Sequence, residues 1–385
     1  MNILQVVSNL YDIAVYGASV AGYVAATALV KSGWQVILLD VPPIHSEQIE
    51  PSNADWIPAD TFDVCPFLRR IRTAIVEHPF RTVLFYSTDL TSKVHYRTRS
   101  IMGFTLSIPT LLKKLKLSAC QEGIEYRRHR GKPEIVLQEQ CVLISQAGAS
   151  RRRDIRAKIL IMAKDSPAEA AFNLGQPLRG ADKRKFAIGE MSINLPKSKH
   201  GDFDNVMHIF QLPGTDRFGM LFGMGNSIIT RIVYQNQLST RWEEQIMQFA
   251  TRLQRAGIIP ERIKFSRAKI THWFPPAAQA LELDTHVLKR TLLIGSAGGF
   301  ASGITGAMLD ASVRSAIVAA EVADRALKSN RCQETLADFK DQWRDDIADR
   351  IRPFTTPLRM IFPMALSNKM IAARLARAML FGENI

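Results

Sequence analysis

The sequence predicts an α/β protein: a Rossmann-like parallel sheet, an inserted β-sheet domain and a helical C-terminus. Three observations predict it. Residues 11–40 read as strand, tight turn, helix and strand. Residues 291–328 read as a second strand running through glycines into a long helix, and residues 208–234 between them read as successive strands.

Tyr11 to Tyr16 (YDIAVY) is a short apolar, β-rich run. Gly17 follows at once, then a helix-like stretch from Val20 to Ser32, then Trp34 to Asp40 (WQVILLD), which ends in a carboxylate. Two strands joined through a helix lie parallel, so this is a βαβ unit. From Val41 to about Ser100, Pro42, Pro43, Pro51, Pro58 and Pro66 break any long helix, and the region reads as loops plus part of the second domain. Pro109 to Gly123 carries apolar residues at helical spacing, with proline near its start and glycine at its end, the expected punctuation of a helix. Short strands follow at Cys141 to Ser145 and Ile155 to Met162, separated by a polar AGASRRRD turn.

Ile209 to Tyr234 reads as strands bounded by Gly214, Gly223 and Gly225, and Thr240 to Ala256 as an amphipathic helix. A strand at Thr291 to Ile294 then enters Gly295, and a long helix covers Gly306 to Lys328. Beyond Asn330 the chain reads as helical, with breaks at Pro353, Pro357 and Pro363. The domain division that follows is discontinuous: 1–75, 100–178 and 285–330 for the nucleotide-type domain, 76–99 and 179–284 for the strand-rich domain, and 331–385 for the helical end.

A chain of 385 residues with 46% hydrophobic content can bury more than one domain's core. Cys65, Cys120, Cys141 and Cys332 stand apart without a C-x-x-C pair, so neither a metal site nor a disulfide framework is expected, and a reducing cytoplasm fits. The first ten residues lack the marks of a signal peptide and no run is long enough to span a bilayer; the expectation is a cytoplasmic protein, at most bound to a membrane surface. The net charge is +14, with clusters at Arg69, Arg70 and Arg72; Lys113, Lys114 and Lys116; Arg127, Arg128 and Arg130; Arg151 to Arg153; and Lys183, Arg184 and Lys185. That field draws acidic partners, an acidic protein or anionic lipid; without zinc-finger spacing or an RNA-recognition signature, nucleic acid is not expected. Oligomeric state is not legible.

Two segments carry chemistry. Gly17-Ala18-Ser19-Val20-Ala21-Gly22 is a G-x-G-x-x-G turn with its middle glycine replaced by serine, whose hydroxyl is itself a phosphate donor. The helix beginning near Val20 aims its free N–H groups and positive dipole end at a pyrophosphate, and Asp40, about twenty residues on, accepts from a ribose 2′-hydroxyl. Strand, turn, helix, strand and acid together make a dinucleotide-binding unit. Which dinucleotide binds is not fixed by this unit.

The second segment, residues 292–311, reads LLIGSAGGFASGITGAMLDA. Here the chain resembles the FAD-dependent superfamily of aromatic hydroxylases, tryptophan halogenases and geranylgeranyl reductases, in which a strand leads to G-D-A-A-G-F and a glycine-rich turn opens a long helix. Gly295, Ala297, Gly299, Phe300, Thr305 and Gly306 fall on that motif. Residues 107–123 resemble the family's helix without its leading arginine, Asp165 and Ser166 match its D-A-S-G segment, and residues 208–234 resemble its substrate-domain strands. Two positions depart from the pattern: Ser296 replaces the motif aspartate that meets the ribityl chain, and the G-E-G turn reads Gly306-Ala307-Met308. The resemblance implies a GR2-type flavin domain and FAD as cofactor. A helix N-terminus at Thr305 to Met308 would stabilise negative charge on the reduced ring by roughly 0.3–1 kcal/mol.

No acid/base pair is evident. His272, beside Trp273, Phe274 and Pro275, is the candidate for lining a substrate pocket. The G-W-x-W-x-I-P halogenase motif is missing, which disfavours halogenation, and the absence of a cysteine pair argues against disulfide chemistry. No second G-x-G-x-x-G marks a nicotinamide domain, so any NAD(P)H visits transiently as electron donor. Three functions remain open: a monooxygenase hydroxylating an aromatic group on a large or anionic substrate, such as a protein tryptophan; a reductase of a polyprenyl lipid; and a flavoprotein scaffold without catalysis. The segment Pro353 to Phe381 mixes Met, Ile, Leu and Phe with Arg359, Lys369, Arg374 and Arg377; it lies on an anionic membrane, docks a partner or packs as a lid.

Overall fold

The computed structural model describes residues 10–42, 48–51, 53–129, 131, 133–146, 154–181, 186–195, 203, 205–214, 217–236 and 238–383. Pro43, Arg130, the Arg151 to Arg153 and Lys183 to Lys185 clusters and most of the AGASRRRD turn fall outside these residues. Two sheets organise the chain. The first opens with strand β1 (Leu10–Tyr16), helix α1 (Val20–Lys31) and β2 (Val36–Asp40). The chain then crosses to the second sheet through β3 (Ala54–Pro58), the short helix α2 (Thr61–Val64), α3 (Pro66–Ile75), β4 (Val76–Tyr86), β5 (Lys93–Arg97) and β6 (Gly103–Ser107). It returns through α4 (Ile108–Gln121), β7 (Glu125–Arg128), β8 (Pro133–Leu137), β9 (Val142–Gln146), β10 (Ile155–Met162) and α5 (Pro167–Leu174).

Strands β11 (Ala187–Asn194), β12 (Asn205–Gln211), β13 (Arg217–Met224) and β14 (Ser227–Tyr234), helix α6 (Trp242–Arg255) and β15 (Lys269–Trp273) belong to the second sheet. Strands β16 (Val287–Leu288) and β17 (Thr291–Leu293) complete the first, and helices α7 (Leu309–Lys328), α8 (Cys332–Ala337), α9 (Phe339–Ile351), α10 (Leu358–Ser367) and α11 (Lys369–Phe381) end the chain.

In the first sheet, β17, β10, β1, β2 and β7 run parallel in that order. The period of two along β1 explains how both faces are covered: Ile13 and Val15 pack with α1, α4 and α7, while Ala14 and Tyr16 pack on the other face with α5 residues and the β8–β9 hairpin. The second sheet runs β15-β11-β14-β13-β12-β4-β6-β3 and is antiparallel except where β12 meets β4. Helix α6 covers one of its faces, and α10 and α11 cover the other.

Two expectations are corrected, and a third is refined. Strands β3 and β6, placed by sequence in the nucleotide-type domain, are hydrogen-bonded in the second sheet, so the crossings lie earlier and later than residues 75 and 100. Pro66 both separates α2 from α3, as expected, and starts α3 at its first position, where its missing N–H costs nothing. Pro363 lies inside α10, where it is exposed and water can reach the carbonyl it leaves without a partner. Among the described residues no helix is long and apolar enough to cross a membrane, and no group of three or more His, Cys, Asp or Glu is placed to hold a metal.

Candidate functional site

The carboxyl ends of β1, β10 and β17 lie side by side, and the sequence-selected residues gather there. Gly17 takes φ +109° directly after β1, and a Cβ on it would meet the Lys164 Cβ at 2.3 Å. A Cβ on Gly22 would lie 2.0 Å from the Gly17 carbonyl oxygen, so this position accepts no side chain if helix and strand are to pack this closely. Ser19 caps α1: its hydroxyl accepts from the Gly22 N–H at 3.2 Å and donates to the Ala163 carbonyl at 2.6 Å. The expectation that this hydroxyl meets a phosphate is therefore corrected, because its proton already ties the turn to the end of β10. An anion here would rest on the first N–H groups of α1, which have no partner within the helix, and on the dipole behind them. Ala18, Val20 and Ala21 complete the turn, Ala18 half-buried and the other two buried.

Asp40 ends β2 at the same edge. The Tyr126 hydroxyl donates to Asp40 Oδ2, the Lys116 ammonium lies 3.7 Å from the centre of the Tyr126 ring, and burial, followed by the Asp40 carboxylate, raises the Tyr126 pKa. Beside it, Lys164 donates to the Val41 carbonyl at 3.0 Å. Asp165, at φ +79°, has its carboxyl pushed up to about 6, first by burial and then by Glu169, against the opposing pull of Lys164. Ser166 and Glu169 form a reciprocal cap at the start of α5.

From β17 the chain turns through Gly295 (φ +52°), whose Cβ would come within 2.8 Å of Ala21 Cβ; the two glycine segments thus touch. The Ser296 hydroxyl donates to Glu50 at 3.1 Å, and burial holds the Glu50 carboxyl above its ordinary range. Gly299 (φ +76°) packs its Cα against the backbone of Gln279 and Ala280. His286 clamps this loop through an Nε2 contact of 2.9 Å with the Gly298 carbonyl.

The far end of the segment differs from expectation. The Thr305 N–H is bound by the Ser302 hydroxyl, the Gly306 N–H by the Ser302 carbonyl and the Ala307 N–H by the Thr305 hydroxyl. Helix α7 starts only at Leu309, with Met308 as its cap. Gly306 (φ +68°) backs onto Phe186, Ile188 and Pro275 of the strand-rich domain, with no room for a Cβ. Burial raises the Asp55 carboxyl above its ordinary range, opposed by Arg231 and, more weakly, by the Met308 N–H. Asp55, 1% exposed, is held by Arg231 at 3.0 Å, and Arg231 also binds Glu190 at 2.9 Å, their side chains 3%, 2% and 0% exposed in the order Arg231, Asp55, Glu190. The guanidinium lies between the Trp273 and Phe222 rings at 4.9 and 5.0 Å. Two carboxylates against one guanidinium leave a net negative charge, which the positive end of α7 offsets.

Sequence reasoning missed this triad. Its signal was a charged residue inside each of three otherwise apolar strand runs, ADWIP, AIGEMSIN and SIITRIVY. His272, by contrast, lies away from the glycine segments. It pairs in register with Gly189, and its ring centre is 4.8 Å from Trp242 on the α6 face, while its neighbour Trp273 points the other way into the core that includes Ile304.

The described residues therefore fit the adenosine and diphosphate end of a dinucleotide. At the ring end they offer Ser296 and the half-buried carboxylate of Glu50 in place of the expected row of free N–H groups.

No family model matches the sequence, and no curated protein matches it. Solved structures do match in three dimensions. The chain is similar to a geranylgeranyl bacteriochlorophyll reductase-like protein from Thermoplasma acidophilum, with TM-score 0.70, 12% identity and 97% of each chain covered. It is similar to a flavoprotein/dehydrogenase from Cytophaga hutchinsonii, with TM-score 0.65, 14% identity, and 95% of this chain and 88% of that one covered. It is also similar to the halogenase PltM in complex with FAD, with TM-score 0.66, 15% identity, and 89% and 75% covered. At these identities the likeness establishes the fold alone, the one these three structures share.

Proposed function

We propose that this chain, with the fold of flavin-dependent halogenases and geranylgeranyl reductase-like proteins, is an FAD-dependent oxidoreductase. The observation that carries the reading is the meeting of the Gly17–Gly22 turn with Gly295 across β1, β10 and β17. Strand ends two places apart lie about 10 Å from each other, a gap that one extended dinucleotide spans. The first N–H groups of α1 would hold the diphosphate, Asp40 the ribose, and Ser296 the part of the cofactor nearest β17. When bound, FAD supplies the electron transfer; the chain supplies orientation and the exclusion of water.

The reaction we favour is hydroxylation of an aromatic group on a large or anionic substrate, such as a protein tryptophan, with NAD(P)H as a transient donor. The charge of +14 supports a substrate of opposite sign. The second reading, reduction of a polyprenyl lipid, is supported by the exposed Met360 and Met364 on α10. Incubation with FAD followed by removal of the free cofactor should leave a yellow protein. With NADPH, hydroxylation consumes oxygen and adds its mass to the substrate, whereas lipid reduction removes double bonds without oxygen. A protein that stays colourless rules out both.

A further inference from the structure

Helix α10 is apolar on both sides. Its inner face buries Leu358, Ile361, Phe362 and Ala365 against the second sheet, with Phe362 ring centres 6.2 Å from Phe85 and 6.5 Å from Phe218. On the outer face stand Met360, 55% exposed, and Met364, 50% exposed, one turn apart, followed by Met370, 71% exposed, at the start of α11. A solvent-facing helix surface is ordinarily polar, so this exposure asks for an occupant. The surrounding charge is mostly positive, with Asp349 and Glu383 at the two ends of the segment and Glu383 paired with Arg377. From Arg350 to Phe381 the chain contains no Asp or Glu, and Arg359, Lys369 and Arg374 are exposed with no acidic partner among the described residues.

We propose that the outer face of the α10–α11 hairpin is a docking surface for an anionic lipid bilayer. Flexible, unbranched methionines enter the boundary between headgroups and acyl chains while flanking cations meet lipid phosphates. The three cations without an acidic partner among the described residues, Arg359, Lys369 and Arg374, complement a negative surface. With no membrane-crossing helix among the described residues, the contact is peripheral.

The test is co-sedimentation of the full chain with phosphatidylcholine vesicles, alone or mixed with phosphatidylglycerol. The protein should pellet with the mixed vesicles only, and less so in high salt. The triple variant Met360→Gln, Met364→Gln and Met370→Gln, and separately Arg359→Gln, Lys369→Gln and Arg374→Gln, should each lower the partition coefficient at least tenfold at unchanged Tm. Removing three exposed cations elsewhere, by Lys113→Gln, Arg262→Gln and Lys264→Gln, should change it less than twofold. Failure to pellet with anionic vesicles overturns the proposal, as does an equal loss in that last variant. A dimer in light scattering that the methionine variant abolishes, without vesicle binding, assigns the face to a second copy and likewise overturns it. The flavin plays no part in this assay, so its outcome is independent of whether the chain binds FAD.

Discussion

At Gly22 there is no space for even one methyl group, since the Gly17 carbonyl oxygen would lie 2.0 Å from it. Gly22→Ala should therefore push α1 away from β1, lowering stability by about 2 kcal/mol and abolishing nucleotide binding, as measured by thermal melting and by titration with ADP. Full binding by the variant would remove this glycine from the site. The Asp55–Arg231–Glu190 triad makes a sharper contrast. Arg231→Met strands two carboxylates in the core and should cost about 3–5 kcal/mol. Asp55→Asn leaves a neutral Arg231–Glu190 pair and should cost far less; urea unfolding in which Asp55→Asn is the worse variant would contradict this account of the charges. The triad also shows where reading by residue type stops. The glycines were legible because backbone geometry demands them, whereas a buried arginine between two carboxylates depends on strand register, which no local pattern encodes.

Among the elements, α1, β1 and β2 were fully legible because turn chemistry, cap and hydrophobic run all agree there. The start of α7 was not. Gly306-Ala307-Met308 looks like a helix N-terminus in sequence, but the Ser302 and Thr305 hydroxyls close the turn on itself and delay the helix to Leu309. Likewise, the segments that form β3 and β6 were placed in the wrong domain and not read as strands, because a short run does not state which sheet it joins. The two faces of α10 should behave differently. Phe362, 1% exposed, packs on Phe85, and Phe362→Ala should cost about 3–5 kcal/mol in chemical denaturation. Met360→Gln, on the outer face, should change stability by less than about 0.5 kcal/mol. Equal effects would mean that the outer face is packed as well.

For the whole molecule, acid is the informative stress. Burial depresses His208 and His286 to about 4 from an ordinary 6.5. A group depressed by folding adds stability that is present above its ordinary value and is lost as the pH falls toward the folded one. Each imidazole therefore withdraws up to about 3 kcal/mol between pH 6.5 and 4. Asp165 acts oppositely: raised to about 6 from 3.8, its contribution is present at low pH and is lost as the pH rises through 6, so it offsets one histidine. Glu50, also raised by burial, acts in the same direction as Asp165, so the test is a difference: between pH 7 and pH 5, His286→Gln, which keeps a donor for the Gly298 carbonyl but does not titrate, should lose less melting temperature than the wild type. A variant whose pH profile matches the wild type would reverse this assignment.

Calorimetric titration of the full chain with ADP and with FAD tests the convergence of the two glycine segments most directly. Both ligands should saturate at one per chain, and Gly22→Ala should abolish both while circular dichroism stays native. Heat-free titrations with both ligands, on protein that melts cooperatively, would contradict the claim that these strand ends form a dinucleotide cradle.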